Sequence, residues 1–157
     1  MLMEHIEFEG KKHLVEWVPG VPVPASDRIT QVSAICLTAA GQVVLVSADG
    51  KSWGLPGGHP EPGEAPEETL RREMSEEACC TVDRAEYLGY QKCTPEGRMK
   101  PDCQLRYKCL VKLEVFRPRH EIGRRRLVPA VDFLKELDWG KSPIAAELAR
   151  LALGAGV

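Results

Sequence analysis

The sequence has few aromatic residues and no excess of charge of either sign. Aromatic side chains make up 6% of the 157 residues, and the formal net charge is −2. A nearly balanced charge excludes the strongly basic surface with which proteins bind polyanions, so no DNA binding is implied. Internal repeats and low-complexity segments are also missing. The length therefore predicts a single domain over residues 1–157.

Long hydrophobic runs are absent as well. The longest apolar stretch, at residues 34–46, is interrupted by Gly41 and Gln42 and is too short to span a membrane. The first ten residues contain acidic side chains and lack the apolar core of a secretory signal peptide. We therefore expect no membrane partner and a cytoplasmic location.

The six cysteines lack the spacings of a zinc site or a disulfide framework. No two of them form a Cys-x-x-Cys pair, and no histidine follows at zinc-finger spacing. Free thiols are therefore expected in a reducing compartment. Cys93 and Cys103 flank a polar loop and could come close in space. A redox function based on the adjacent Cys79 and Cys80 is one functional hypothesis, although no spacing supports it.

A dense group of charged residues follows a glycine- and proline-rich turn. The turn ends at Gly57 and Gly58, and Pro66 then suits the first turn of a helix, where its missing N–H costs little. Five charged side chains follow at fixed offsets: Glu64, Arg72, Glu73, Glu76 and Glu77. Carboxylates this close repel one another unless a cation lies between them, so the pattern indicates a divalent metal.

The periodicity of this predicted helix separates a charged face from an apolar face. At about 100° per residue, Glu73, Glu76 and Glu77 share a sector with Thr69 and Cys80. Three apolar residues at i, i+4 and i+8 form the adjacent stripe: Leu70, Met74 and Ala78. One face is therefore expected to pack on a core while the next carries three carboxylates. A solvent-facing acidic helix without metal is the competing interpretation.

The spacing resembles the Nudix box, whose pattern is G-x5-E-x7-R-E-U-x-E-E-x-G-U, with U a bulky apolar residue. Every charged position matches over residues 58–80, and the preceding residues 53–58, WGLPGG, are similar to the usual lead-in. The departures are Cys79, where the family has glycine, and Cys80, a small substitute for an aliphatic residue. Glycine near a helix end usually adopts a left-handed conformation. Cysteine there would cost about 1 kcal/mol or more, or else the helix ends differently.

The resemblance implies a fold and an activity. The fold class is α/β, an α/β/α sandwich with a mixed β-sheet between helices. The activity is metal-dependent hydrolysis of a diphosphate linkage, in a nucleoside diphosphate linked to another moiety X or in a nucleoside triphosphate. A non-catalytic Nudix-like module that binds a nucleotide and regulates a partner is the alternative. The intact acids argue against that alternative, because such modules often lose them.

The resemblance also implies roles for residues of the box. Mg²⁺ or Mn²⁺ would be held by Glu73, Glu76 and Glu77, and the Gly57 carbonyl would add a ligand. Arg72 would orient a metal-binding carboxylate by bidentate pairing. Its competing role is a surface salt bridge with Glu68 or Glu76. The water-activating carboxylate would be Glu76 or Glu73, and Glu64 would tie the loop to the helix.

Residues outside the box are also candidates for contact with the metal or the substrate. Family members often use a further acid, and the candidates are Glu96, Asp102, Glu114 and Glu121. A basic run between Arg117 and Arg126, which includes Arg119 and His120, could contact phosphates or form a solvated loop. Five aromatic residues could stack on a base: Trp53, Tyr87, Tyr90, Phe116 and Trp139.

The remaining segments predict mixed strands and helices. Strand-like runs lie at residues 31–38, 42–47, 86–92 and 105–116, with a short one at 127–128. Residues 1–24 are predicted to form a hairpin, at 6–9 and 13–18, and a stiff linker, with a homodimer as one use of that hairpin. A polar loop is expected at 93–104 and an amphipathic segment at 131–137. Ser142 is expected to cap a last helix that runs to Leu153.

Overall fold

The computed structural model describes residues 1–117 and 123–154. Its strands are β1 (Met3–Phe8), β2 (Lys11–Pro19), β3 (Arg28–Leu37), β4 (Gln42–Ser47), β5 (Gly57–Gly58), β6 (Cys80–Pro95), β7 (Asp102–Leu113) and β8 (Arg124–Pro129). Its helices are α1 (Pro66–Ala78), α2 (Phe133–Glu136) and α3 (Pro143–Leu153), and a 3-10 turn at Ala130–Asp132 leads into α2. Within these described ranges, no helix combines the length and apolar character that crossing a membrane requires.

The strands form one mixed sheet in the order β1-β2-β6-β7-β3-β4-β8, with β5 paired to β3. Strands β3 and β7 run parallel, and the other pairs are antiparallel. The strand-like runs predicted at residues 31–38 and 42–47 pair only at the turn between them, where Leu37 lies opposite Val43. The two strands then separate, because β3 pairs with β7 and β5 whereas β4 pairs with β8.

Apolar cores cover both faces of the sheet. On one face, Val32 and Ala34 of β3 belong to a core with Leu70 of α1. On the other face, Ile35 belongs to a core with Phe133 of α2 and residues of α3. Successive side chains of a strand point to opposite faces, which is why neighbouring residues of β3 serve different cores. This two-sided packing confirms the predicted α/β/α sandwich.

The N-terminal hairpin and the last helix follow their predictions. Strands β1 and β2 pair antiparallel, and β2 continues the sheet by pairing with β6. At the start of α3, Ser142 Oγ accepts hydrogen bonds from the N–H groups of Ile144, at 3.1 Å, and Ala145, at 3.3 Å. The helix ends at Leu153, directly before Gly154. The helix therefore begins after the predicted cap and ends at the predicted residue.

Two predicted boundaries were wrong, both next to β6. Helix α1 ends at Ala78, so Cys80 begins β6 and does not share the charged helix face. The polar loop predicted at residues 93–104 is shorter, because β6 and β7 pair as far as Cys93 opposite Asp102. Cys93 and Cys103 belong to cores on opposite faces of the sheet, and all six cysteines are free.

Candidate active site

Arg72 of α1 links the charged residues. Its Nε donates to Glu64 Oε2 at 2.7 Å, and its Nη2 donates to Glu64 Oε1 at 3.0 Å. Its Nη1 donates to Glu73 Oε1 at 2.7 Å and to Glu76 Oε2 at 3.2 Å. Such charge-assisted bonds fix the position of a carboxylate more firmly than neutral ones do. The bidentate partner is therefore Glu64, and two of the predicted metal ligands each receive a single bond.

Glu64 holds the glycine- and proline-rich turn against the helix. Its Oε1 accepts hydrogen bonds from Thr69 Oγ1 at 2.6 Å and from the Glu61 N–H at 3.0 Å. The hydrogen bond from Arg72, helped by those two donors, lowers the pKa of the Glu64 carboxyl to about 2. Arg72 Nη2 also donates to the His59 carbonyl in the turn, at 3.1 Å. These contacts form the link between loop and helix that Glu64 was expected to provide.

The two glycines of β5 leave room for two carboxylates. The Gly57 N–H donates to Glu77 Oε2 at 3.1 Å. A Cβ atom at Gly58 would lie 2.4 Å from the carboxyl carbon of Glu73. A Cβ atom at Gly57 would meet Ser33 Cβ of β3, also at 2.4 Å. A larger residue at position 57 would therefore displace β3, and one at position 58 would displace the Glu73 carboxylate.

The negative charge beside β5 is only partly compensated. Burial, together with the nearby charge of Glu73, raises the pKa of the Glu77 carboxyl to about 7, although the hydrogen bond from the Gly57 N–H opposes the change. A carboxyl whose pKa is raised beside a second acid favours neutralisation by a proton or a cation. A divalent cation with a preference for hard oxygen ligands would supply that charge.

The glutamates do not form a closed metal cage. Within residues 1–117 and 123–154, no three His, Cys, Asp or Glu side chains are grouped so that they could hold a metal ion. Glu73 and Glu76 turn towards Arg72, whereas Glu77 turns towards Gly57. Mg²⁺ usually binds through one or two carboxylates together with waters and substrate phosphates. The oxygen donors beside β5 fit an ion held in that way, and the ligand role of the Gly57 carbonyl stays a prediction.

The acids proposed outside the box make other contacts. Glu114 Oε1 accepts a hydrogen bond from Thr81 Oγ1 at 3.1 Å, and Asp102 binds Arg28 at 2.5 Å. Glu96 directly follows β6. Among the contacts that the structure describes, none joins these three acids to a box glutamate. Glu121 lies outside the described residues.

Two arginines of the basic run make contacts within the protein. Arg125 Nη1 donates to the carbonyls of Ala78 at 3.0 Å, Cys79 at 3.2 Å and Glu114 at 3.0 Å. It thereby binds carbonyls at the C-terminal end of α1, where a cation is favourable. The Arg126 guanidinium lies 4.2 Å from the centre of the Trp53 ring. Arg119 and His120 of the same run lie outside the described residues.

Cys79 adopts the left-handed conformation that glycine usually supplies, with φ 52° and ψ 50°. Its N–H donates to the Met74 carbonyl, and its Sγ accepts from the Arg117 N–H at 3.4 Å. The helix thus ends as the motif predicts, at a conformational cost of about 1 kcal/mol. Burial raises the pKa of the adjacent Cys80 thiol to about 11. A reactive thiol needs a lowered pKa, so Cys80 gives no support to the redox hypothesis.

A cavity that the sequence did not predict lies on the sheet face opposite α1. Its volume is about 500 Å³, and Trp139 is the one of the five stacking candidates among its lining residues. Arg106 of β7 also lines it and is almost fully buried, at 5% exposure. Among the residues that the structure describes, the arginine donates only to neutral oxygens: Gln91 Oε1 at 2.7 Å, Gln104 Oε1 at 2.8 Å, Gln31 Oε1 at 2.9 Å and Ser33 Oγ at 2.6 Å.

A pattern in the sequence points to this group of polar residues. Gln31 and Ser33 alternate with apolar residues along β3, and Gln104 and Arg106 do the same along β7. Alternation of this kind places polar side chains together on one face of a sheet. Two such strands that become neighbours therefore bring four polar groups to one place. Their parallel pairing is a long-range feature that local periodicity does not reveal.

Comparison with known proteins identifies the family. A family model described as NUDIX domain matches residues 27–148. The chain therefore belongs to the Nudix domain family, as its box predicted. A search of curated proteins gave no match.

Solved structures share the fold. A mutant of the pyrophosphohydrolase BsRppH of Bacillus subtilis is 24% identical, with 98% of each chain covered and a TM-score of 0.73. The MutT protein of Bacillus halodurans is 22% identical over 76% of this chain and 81% of its own, with a TM-score of 0.60. The Nudix domain of Shewanella oneidensis NrtR, solved with ADP ribose, is 19% identical over 82% and 90%, with a TM-score of 0.58.

Proposed function

We propose that the protein is a Mg²⁺- or Mn²⁺-dependent hydrolase that cleaves a diphosphate linkage. The substrate is a nucleoside diphosphate joined to another moiety X, or a nucleoside triphosphate. The proposal depends above all on one observation: the carboxylates of Glu73 and Glu77 lie beside the two glycines of β5. Arg72 supports it by holding Glu73 and Glu76 together with Glu64 of the turn.

The residues of the site have separate roles in this proposal. Glu73, Glu76 and Glu77 hold the metal, and the Gly57 carbonyl adds a ligand. When bound, Mg²⁺ or Mn²⁺ neutralises phosphate oxygens and lowers the pKa of a coordinated water. Glu76 or Glu73 orients that water or accepts its proton. Arg72 keeps the carboxylates in position.

The substrate class is supported by the relatives. NrtR was solved with ADP ribose, and the Bacillus subtilis relative is a pyrophosphohydrolase by name. We extend a small nucleotide-derived substrate to this chain on that basis. A cytoplasmic location, a single domain over residues 1–157 and a homodimer that uses the N-terminal hairpin are further proposals from the sequence.

The test is hydrolysis of a substrate panel with and without metal. The panel contains ADP-ribose, dinucleoside polyphosphates, nucleotide sugars and nucleoside triphosphates, each incubated with Mg²⁺, Mn²⁺ or a chelator. We expect metal-dependent release of a phosphate-containing product from at least one compound. Tight nucleotide binding without any cleavage would favour the non-catalytic module instead.

Conservative variants test the assignment of residues. Because even outer-shell partners of a metal contribute tenfold to hundredfold, Glu76→Gln and Glu77→Gln should each lower kcat by about a hundredfold or more. Glu67→Gln is the matched control, because Glu67 is exposed in the first turn of the same helix. Full activity in either Glu76→Gln or Glu77→Gln would contradict the proposed metal site.

A further inference from the structure

Three glutamines lie side by side across three strands of the sheet. Gln91 of β6 is opposite Gln104 of β7, and Gln104 is opposite Gln31 of β3. Arg106 lies two residues further along β7 and therefore on the same face. All four side chains line the cavity of about 500 Å³. The cavity floor is thus a row of amides with one guanidinium behind it.

Arg106 determines which end of each amide faces it. A guanidinium has five N–H donors and no acceptor, so a neighbouring amide must offer its oxygen. The three amide oxygens accept from Arg106 at 2.7 to 2.9 Å. A rotation of any amide by 180° would bring two donors together and would lose that bond. The NH₂ groups of Gln31, Gln91 and Gln104 therefore point away from the arginine.

These NH₂ groups are open to the cavity. Within the described residues, none of the three NH₂ groups donates to a protein acceptor. The one buried side-chain polar atom without a partner there is Trp17 Nε1, so the unpartnered NH₂ groups are not buried. The amide nitrogens are therefore accessible. A ligand in the cavity would meet up to six N–H bonds from the three amides.

The charge of the cavity floor also favours acceptor groups. Burial lowers the pKa of Arg106 to about 10, so the guanidinium remains cationic at neutral pH. Among described residues, no carboxylate contacts it directly. Two acids line the same cavity, but Asp102 binds Arg28, and Glu4 accepts from Ser142 Oγ at 2.9 Å. The acids at the rim thus have partners of their own.

The cavity and the box glutamates lie on opposite sides of the strand pair formed by β3 and β5. Arg106 Nη1 donates to Ser33 Oγ at 2.6 Å, and Ser33 is the strand partner of Gly57. The Gly57 N–H in turn donates to Glu77. Only the neighbouring strands β3 and β5 separate the amide row from the carboxylates. A substrate that extends past this strand pair would place its phosphates at the carboxylates and its other end in the cavity.

We propose that this cavity binds the base of the substrate and selects bases whose edge carries carbonyl oxygens. Hypoxanthine and uracil have such an edge, whereas adenine and cytosine present an amino group where the carbonyl would be. Gln31, Gln91 and Gln104 donate to the carbonyls, and Trp139 forms an aromatic wall. Arg106 is a positioning residue that acts through the glutamines. This inference rests on the proposed hydrolysis of nucleotides.

The first test compares inosine and adenosine forms of whichever nucleotide is cleaved. The two bases differ at the 6-position, where inosine carries a carbonyl and adenosine an amino group. A donor that faces another donor loses its hydrogen bond, so kcat/KM should be about tenfold or more higher for the inosine form. The same ratio is expected when uridine and cytidine forms are compared. Equal values for both pairs would overturn the inference.

Glutamate variants test the amide row itself. Gln91→Glu and Gln104→Glu keep an oxygen towards Arg106 and replace the cavity-facing NH₂ with a second oxygen. Each should lower the inosine-to-adenosine ratio at least about fivefold, because an acceptor now faces the base. Gln42→Glu is the matched control, since Gln42 lies in β4 away from the cavity, and its ratio should be unchanged. An unchanged ratio in both cavity variants would overturn the inference.

A binding measurement separates this inference from the proposed reaction. Calorimetry with inosine and adenosine monophosphates in the presence of Mg²⁺ requires no turnover. We expect the inosine compound to bind about tenfold or more tightly. Selective binding without any hydrolysis would support the cavity and contradict the proposed reaction. Hydrolysis with equal or undetectable binding of both monophosphates would contradict the cavity assignment alone.

Discussion

Two arginines of this protein lie in opposite surroundings. Arg72 donates to the carboxylates of Glu64, Glu73 and Glu76, and the hydrogen bond with Glu64 is the main reason that its pKa is raised. Arg106 donates to amide and hydroxyl oxygens, and burial lowers its pKa to about 10. The same side chain thus fixes acids at one place and amides at the other.

The comparison shows that an arginine can organise two different kinds of site. Around Arg72 the acids outnumber the cation, so the surroundings keep a net negative charge that suits a metal. Around Arg106 the partners are neutral, so the positive charge remains and the amides turn their donors outwards. The ionic state of the partners, rather than the arginine, decides whether a site attracts cations or acceptor groups.

The largest expected effect is the loss of the buried arginine. Arg106→Met would leave the oxygens of three glutamines and Ser33 without their donor, and unmatched buried polar groups cost about 1–3 kcal/mol each. Because water from the cavity can replace some of these bonds, we expect the free energy of unfolding to fall by about 2–4 kcal/mol. Urea denaturation followed by circular dichroism would measure the change.

The matched control is Arg28, whose partner Asp102 lines the same cavity. Arg28 has a 62% exposed side chain and binds Asp102. Exposed pairs contribute about 0–1 kcal/mol, so Arg28→Met should change stability by no more than that amount. Equal destabilisation by both variants would mean that the hydrogen bonds of Arg106 contribute little.

A smaller effect is expected at Arg72, which is half-buried, and it concerns activity. Lysine has no planar fork, so Arg72→Lys can keep the charge but cannot bind Glu64 in bidentate fashion while it reaches Glu73 and Glu76. We expect kcat/KM to fall about tenfold to hundredfold, as for other groups that orient metal ligands. Steady-state kinetics at several Mg²⁺ concentrations would measure it. Activity equal to that of the unmodified protein would show that the fork geometry is unimportant.

The smallest effect is a loss of stability at acidic pH that depends on Glu64, the bidentate partner of Arg72. The pKa of Glu64 is lowered to about 2 in the folded protein, against about 4.3 for an ordinary glutamate. A lowered pKa stabilises the fold above the unfolded value, and that stabilisation is lost as the pH falls from about 4.3 towards 2. The unmodified protein should therefore lose more stability in this interval than Glu64→Gln does. Identical pH profiles from thermal unfolding would contradict the role of Glu64.

Local patterns were sufficient to predict the box and its helix. Helical periodicity predicted the charged face of Glu73, Glu76 and Glu77, and Pro66 and Ser142 marked the starts of two helices. These features depend on residues close together in the chain, where periodicity and capping act directly.

The cavity could not be predicted in the same way. It exists because β3 and β7 become parallel neighbours, which brings Gln31 beside Gln104 from distant parts of the chain. Strand order is decided by packing over the whole sheet, and no local pattern encodes it. The placement of Cys80 in β6 was missed for a related reason. Cys79 accepts a left-handed conformation because its backbone and sulfur find partners in the last turn of α1 and near Arg117.

Arg125 gives α1 a second point of attachment. The hydrogen bonds between Glu64 and Arg72 hold α1 against the turn before it. At the other end of the helix, Arg125 donates to the Ala78 carbonyl and also to the Glu114 carbonyl, which follows β7. A helix held at both ends has little conformational entropy left to lose when a cation arrives. The entropy of Mg²⁺ association should then come mainly from the water that the ion releases. Calorimetry should therefore show a favourable entropy of Mg²⁺ binding, with little loss from ordering of the protein.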